Sequence, residues 1–150
     1  MRLVIQRVNS AGVTIKGAVF SEIKSGFLIF AGIEETDGHD DISWLVSKVC
    51  SMRIFTDEEG KMNLDIKQVK GNILLVSQFT LYASTKKGNR PSFIKAARPE
   101  KAIPLYENLI REFEKAMGQA IKTGKFGADM QVSLVNDGPV TIIIDSKSRE

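Results

Sequence analysis

One cysteine and one histidine occur in 150 residues, and no apolar run is long enough to cross a bilayer. Each shortage removes a class of function. The single Cys50 excludes an intrachain disulfide framework, so a reducing compartment, the cytoplasm by default, is the expectation. The single His39 lies in the acidic stretch "EETDGHD" and reads as a surface residue. It leaves no base for a Ser-His-Asp or Cys-His site and too few nitrogen and sulfur ligands for zinc, so no metal is expected. Neither G-x-x-x-x-G-K-[ST] nor G-x-G-x-x-G occurs, which removes the nucleotide-phosphate loops, and no cofactor is expected. Without a run of about 18 apolar residues, and with charges in the opening "MRLVIQRV", no membrane partner is expected either.

Internal repeats and linkers are also missing. The expectation is one domain spanning residues 1–150, a size that buries roughly 70% of the surface its unfolded chain exposes. The formal charge is +3 and the pI about 9.0, compatible with an RNA or phosphate partner without demanding one. Residues 83–98, "ASTKKGNRPSFIKAAR", carry Lys86, Lys87, Arg90, Lys95 and Arg98 and no acid. Read alone, such a run is a solvated loop.

What is present is strand-rich. "RLVIQRV", "GVTI", "AVFSEI" and "GFLIFAGI" are short runs bounded by Gly or Ser, with a turn at Lys16-Gly17, and they predict several antiparallel strands. Strand alternation puts Leu3, Ile5 and Arg7 on one face, so Arg7 either marks the core edge or reaches into a site. Asp40 or Asp41 is placed to cap a helix running to about Met52, with Ile42, Leu45, Val46 and Val49 as its apolar stripe and Cys50 beside it. A second helix is predicted from about Pro99 to Met117, with Leu105, Leu109, Phe113 and Ala116 on one side and Pro104 disturbing its first turns. "RIFTDEEGKMNL" offers a short strand and a turn at Glu59-Gly60.

"NILLVSQFTLYA" is the strongest strand signal. It is apolar on both faces at first, then polar at Ser77, Gln78 and Thr80. "MQVSLVNDGPVTIIID" reads as two strands joined by a turn at the Asn-Asp-Gly-Pro cluster. The resulting fold class is α+β, a β-rich domain of mostly antiparallel strands forming a barrel-like core with two main helices outside. An enzyme built from these residues must work by positioning, by backbone N–H groups aimed at an oxyanion, or with a group supplied by its substrate. The segment "SQFTL" is where such donors could lie; its alternative is a strand end satisfied by backbone or water.

Taken together, "SQFTL" at 77–81 and "NDGPVT" at 136–141 resemble the signature pair of the D-aminoacyl-tRNA deacylases, also called D-tyrosyl-tRNA deacylases. "RIFTDEEGKMN", "KGNRPSF" and "FGADMQVSLV" are similar to family segments in the family order, so the resemblance spans essentially the whole chain. Gly12, where similar proteins often carry Ser, is a departure. The resemblance implies hydrolysis of the ester between a D-amino acid and the 3′-terminal adenosine of tRNA, with glycyl-tRNA also accepted. It implies a homodimer in which Gly138 and Pro139, joined by a cis peptide bond, enter the partner's active site and exclude L-aminoacyl groups. Ser77, Gln78, Phe79 and Thr80 would line the pocket. Thr80 is a candidate nucleophile in such proteins, but with no histidine near it in sequence the preferred reading has Phe79 and Thr80 N–H groups as oxyanion donors and the substrate 2′-hydroxyl as activator of water. Arg7 would brace the Gly-Pro loop, Met130 would line the pocket, and Asn136 and Thr141 would support it. Lys86, Lys87, Arg90, Lys95 and Arg98 become phosphate contacts. The rival reading is a non-catalytic RNA-binding module of the same fold.

Overall fold

The computed structural model describes residues 1–150. Strand β1 (Arg2–Ile15) is its organising element. A tight turn at Lys16-Gly17 leads into β2 (Ala18–Ile23), which pairs with the far half of β1, Ala11 opposite Ile23. β3 (Gly26–Gly32) returns antiparallel along the near half, with Arg2 opposite Gly32 and Val8 opposite Gly26. The other edge of β1 is taken by β8 (Gln131–Asp145), antiparallel from Arg2 opposite Asp145 to Thr14 opposite Gln131. β1 is therefore hydrogen-bonded on both sides.

Two pairings depart from the antiparallel expectation. β6 (Asn72–Ser77) lies parallel to β3, and β7 (Lys122–Thr123) lies parallel to β6. Parallel neighbours need a long crossover rather than a tight turn. α1 (His39–Ser51) lies within the first crossover and α2 (Pro99–Met117) within the second. A separate ribbon of β4 (Phe55–Thr56) and β5 (Met62–Leu64) precedes β6, closed by the turn at Glu59-Gly60, where Gly60 N–H donates to Asp57 O at 3.1 Å. The path β2-β1-β3-β6-β7 curls until its ends meet, and the Ser21 hydroxyl on β2 donates to Thr123 O on β7 at 2.8 Å. The result is a nearly closed barrel-like sheet with two helices outside.

Residue alternation sorts the two faces of this sheet. Leu3, Ile5, Phe27, Ile29, Ile73 and Leu75 face the helices and join Ile42, Leu45 and Val49 of α1 and Leu109 and Phe113 of α2 in one core. Val8, Ala11, Val13, Leu28, Leu74 and Val76 fill the inside of the curl. Burial on both faces is why β6 reads as an unbroken apolar run. Cys50 packs into the helix-side core, where burial pushes its thiol up.

Several boundaries differ from the sequence reading. Gly38, not Asp40 or Asp41, caps α1, and Asp41 acts from inside the first turn, accepting the Gly38 N–H at 2.9 Å. Pro104 does not delay α2, which starts at Pro99 and carries Pro104 within it. One missing N–H near a helix start is tolerated while both flanking turns pack. The buried stripe of α2 centres on Ala102, Tyr106, Leu109 and Phe113, with Leu105 and Ala116 at its margins. Tyr106 belongs to it because its ring is apolar and its hydroxyl reaches Leu75 O at 2.8 Å.

The hairpin expected at "NDGPVT" is absent. Residues on both sides of it belong to one strand, β8, and pair with the same neighbour: Asn136 opposes Val8 and Thr141 opposes Gln6. The segment Asp137–Val140 is an enlarged bulge that loops out opposite Arg7. A hairpin would have sent the chain back along a new strand, whereas here the apolar alternation resumes on β1.

Candidate functional site

A cleft of about 670 Å³ opens beyond the carboxyl ends of the parallel pair β3 and β6. The segments that leave those two ends form part of its wall. Ala31, Val76 and Ser77 supply the strand ends, and Gln78 and Phe79 follow. Phe93, Arg98, Ala102 and the run Phe126–Met130 also line it.

"SQFTL" is not one strand end. β6 stops at Ser77, Gln78 N–H bonds Ala31 O at 2.8 Å, and Phe79–Tyr82 winds into a 3-10 turn. Two interactions favour the turn over a continued strand. The Gln78 amide nitrogen donates to the Thr80 hydroxyl, and Leu81 N–H closes on Gln78 O at 3.3 Å. The N–H groups of Phe79 and Thr80 open the turn and so have no acceptor within it. Phe79 is half exposed and meets Phe93 edge-on, ring centroids 5.1 Å apart.

Ser77, Gln78, Phe79, Met130 and Arg98 thus come together at one cleft. Thr80 lies in the same turn, outside the lining. Arg7, Asn136, Gly138, Pro139 and Thr141 form a second group, away from this chain's own cleft. Arg7 is buried between the bulge and Ile54: one guanidinium nitrogen donates to Ile54 O, and Nε lies 3.0 Å from Asp137 Oδ2 as an ion pair without an aligned hydrogen bond. Asn136 closes the base of the bulge. Oriented by its partners, its amide nitrogen donates to Arg7 O at 2.8 Å and Val140 O at 3.2 Å, and its oxygen accepts the Thr141 hydroxyl at 3.2 Å. Gly138 and Pro139 stand exposed at the tip, and the peptide bond between them is cis.

Lys86, Lys87, Arg90 and Lys95 are exposed and make no ion pair. The loop bearing the first three is pinned at its neck, Ser84 N–H to Ser92 O at 2.8 Å and the reverse at 2.9 Å. Arg98 precedes α2, so its charge and the positive end of the helix dipole both lie at the cleft. Sequence reasoning missed Phe93, Phe126 and Asp129 as lining residues. They sit in irregular segments where periodicity carries no information, although "KGNRPSF" and "FGADM" mark their neighbourhoods. No helix is long and apolar enough to cross a membrane, and no three His, Cys, Asp or Glu side chains gather as a metal site would require.

Comparison with known proteins defines the class first. Residues 4–145 match the family described as D-Tyr-tRNA(Tyr) deacylase. A D-aminoacyl-tRNA deacylase of Flavobacterium johnsoniae is 57% identical over 150 residues, all of both chains. One of Bacteroides fragilis is 59% identical, again over the whole of both. A solved structure, the c-Myc DNA Unwinding Element Binding Protein, is 39% identical with a TM-score of 0.90, covering 97% of this chain and 98% of that one. The protein is an enzyme, a hydrolase acting on ester bonds. It belongs to the D-Tyr-tRNA(Tyr) deacylase family.

Proposed function

We propose that this protein hydrolyses the ester bond of D-aminoacyl-tRNA, releasing the D-amino acid and tRNA, and so removes the wrong enantiomer before translation. Full-length identity to D-aminoacyl-tRNA deacylases carries the reading. The substrate carbonyl sits at the opening of the Phe79–Tyr82 turn, where the N–H groups of Phe79 and Thr80 face developing negative charge. A backbone donor in that role is worth about 3 kcal/mol and leaves no side-chain signature. The terminal ribose 2′-hydroxyl supplies the help to water that no histidine can. Engagement of the Thr80 hydroxyl by Gln78 supports this over a Thr80 nucleophile, since no base stands behind the oxygen. The half-exposed pair Phe79 and Phe93 offers an apolar surface to a nucleobase.

Selection against L-aminoacyl groups is assigned to Gly138 and Pro139 of a second copy of the chain. The bulge stands clear of its own cleft and is braced by Arg7, Asn136 and Thr141, which suits a rigid group presented to a partner. Backbone atoms there meet an L side chain and leave a D side chain free, a repulsive route to specificity. Glycine has no side chain to reject, so glycyl-tRNA is also a substrate. β8 supports the dimer: its outer edge has no strand partner, and Val135 and Ile143 are exposed on it. Lys86, Lys87, Arg90, Lys95 and Arg98 contact phosphates of the acceptor end in a sequence-independent way. The working unit is the whole of residues 1–150 as one domain, twice, in the cytoplasm.

The test is multiple-turnover hydrolysis of D-tyrosyl-tRNA, L-tyrosyl-tRNA and glycyl-tRNA by catalytic amounts of protein. Hydrolysis of the D and glycyl esters with the L ester spared is expected. No turnover of the D ester leaves a nucleic-acid-binding module instead, and equal turnover of D and L esters removes the Gly138-Pro139 role. A D-tyrosyl-tRNA ending in 2′-deoxyadenosine should be nearly inert, and undiminished hydrolysis would remove the 2′-hydroxyl.

A further inference from the structure

Arg2, Gly32 and Asp145 are cross-strand partners at one end of the sheet: Arg2 of β1 pairs with Gly32 of β3 on one side and with Asp145 of β8 on the other. Partners in register share a face, so the three form a row across adjacent strands. The Phe79–Tyr82 turn rests on that row. Above Gly32 the approach is close enough to forbid a side chain: an added Cβ would lie 2.9 Å from Leu81 Cβ, 3.2 Å from Gln78 O and 3.2 Å from Tyr82 Cδ2. Beside it, Arg2 Nη1 donates to Leu81 O at 2.8 Å, and its guanidinium carbon lies 5.0 Å from the centre of the Tyr82 ring. Arg2 is held from the far side by Asp145 Oδ2, at 3.0 Å from Nε and 2.9 Å from Nη2.

The geometry points to Arg2 as a positioning residue, which fixes the angle of the turn and through it the aim of the Phe79 and Thr80 N–H groups. This rests on the oxyanion role given to those groups above. Leu81 O is one of the carbonyls a 3-10 turn leaves without an internal partner. The guanidinium meets that need while its planar fork stays locked on the carboxylate. A turn seated on side chains alone could rock; seated on an absent Cβ, a charge-assisted hydrogen bond and an aromatic face, it has one resting place. Lysine, a point charge on a flexible stem, can reach Leu81 O or Asp145 but cannot reproduce the fork.

Arg2→Gln, Arg2→Lys and Asp145→Asn should be compared with the wild type in single-turnover and steady-state hydrolysis of D-tyrosyl-tRNA. Misaimed donors lose stabilisation of the transition state, so kcat falls about tenfold to a hundredfold in Arg2→Gln while KM changes less than about threefold. Arg2→Lys recovers part of the loss, and Asp145→Asn, which frees the fork without removing it, loses less than Arg2→Gln. A folded Arg2→Gln with wild-type kcat, or a loss confined to KM, overturns the assignment. Amide hydrogen exchange at residues 79–83 supplies a readout independent of turnover and separates this inference from the functional reading. Faster exchange there in Arg2→Gln, with exchange in α1 unchanged, supports the clamp even if the wild type proves inactive on the D ester. Unchanged exchange at 79–83 overturns it whatever the wild type does.

Discussion

Arg7 Nε and Asp137 Oδ2 lie 3.0 Å apart, the guanidinium buried and the carboxylate partly open to solvent. The asymmetry predicts unequal costs. Arg7→Met strands Ile54 O and frees the bulge, costing about 1–3 kcal/mol. Asp137→Asn removes only a screened charge and costs about 1 kcal/mol or less. Thermal denaturation of the two variants checks the order, and a larger loss in Asp137→Asn would place the support of the bulge elsewhere.

Gly138 has φ +121°, and a Cβ there would sit 2.8 Å from Val140 Cγ2 and 3.1 Å from Arg7 Nη2. Gly138→Ala therefore costs about 1–3 kcal/mol of strain and displaces the tip of the bulge. The expected kinetic result is a rise in L-tyrosyl-tRNA hydrolysis relative to the D ester, with the D rate reduced less than tenfold. An unchanged D-to-L ratio in a variant shown to be destabilised would detach the tip from selectivity.

Thr80→Ala removes the hydroxyl that accepts from the Gln78 amide but leaves the backbone N–H in place. Substantial turnover, within about tenfold of wild type, is expected if backbone donors carry the chemistry. Complete loss with native circular dichroism would restore Thr80 as the nucleophile.

Strong acid should weaken the corner where Asp41 meets Lys147. Burial alone would raise the Asp41 carboxyl, but the Lys147 ammonium at 2.8 Å, with Ser146 and the Gly38 N–H, holds it at about 2. The folded value lies below the ordinary 3.8, so this stabilisation is complete above the ordinary value and is lost as pH falls through about 2. Asp145 is shifted the same way: burial opposes, and the Lys147 N–H and Arg2 prevail. Urea denaturation from about pH 5 to about pH 2 should show stability falling less steeply in Asp41→Asn than in wild type.

Replacing Lys86, Lys87 and Arg90 together with alanine should raise KM for aminoacyl-tRNA and leave kcat near wild type. Each lost phosphate contact also reduces the slope of log affinity against log salt by about 0.7–0.9. An unchanged slope would return the loop to the solvated role its composition first suggested.

Most of the framework could be read from residue pattern because the pattern is a burial record. Leu3, Ile5 and Arg7 share a face as alternation requires, and Ile42, Leu45, Val46 and Val49 form the buried stripe of α1. What escaped reading depends on long-range pairing. Asn-Asp-Gly-Pro favours chain reversal locally, and only the match of both flanks to β1 turns it into a bulge. The break at Gln78 was hidden because Phe79, Thr80 and Leu81 suit a strand, while the Gln78 amide and the seat on Gly32 select a turn. Phe93 and Asp129 reach the cleft from irregular segments, where no period exists to reveal direction.

β1 carries Arg2 under the turn and Arg7 against the bulge, and it is hydrogen-bonded along both edges. A strand of that kind opens only when the whole sheet opens. Heating should therefore leave cleft and bulge registered to each other until global melting, with no window in which one has loosened and the other has not. Rate then falls in a single cooperative transition as molecules unfold, while those still folded keep their enantiomer preference, so a warm sample loses activity before it loses judgement.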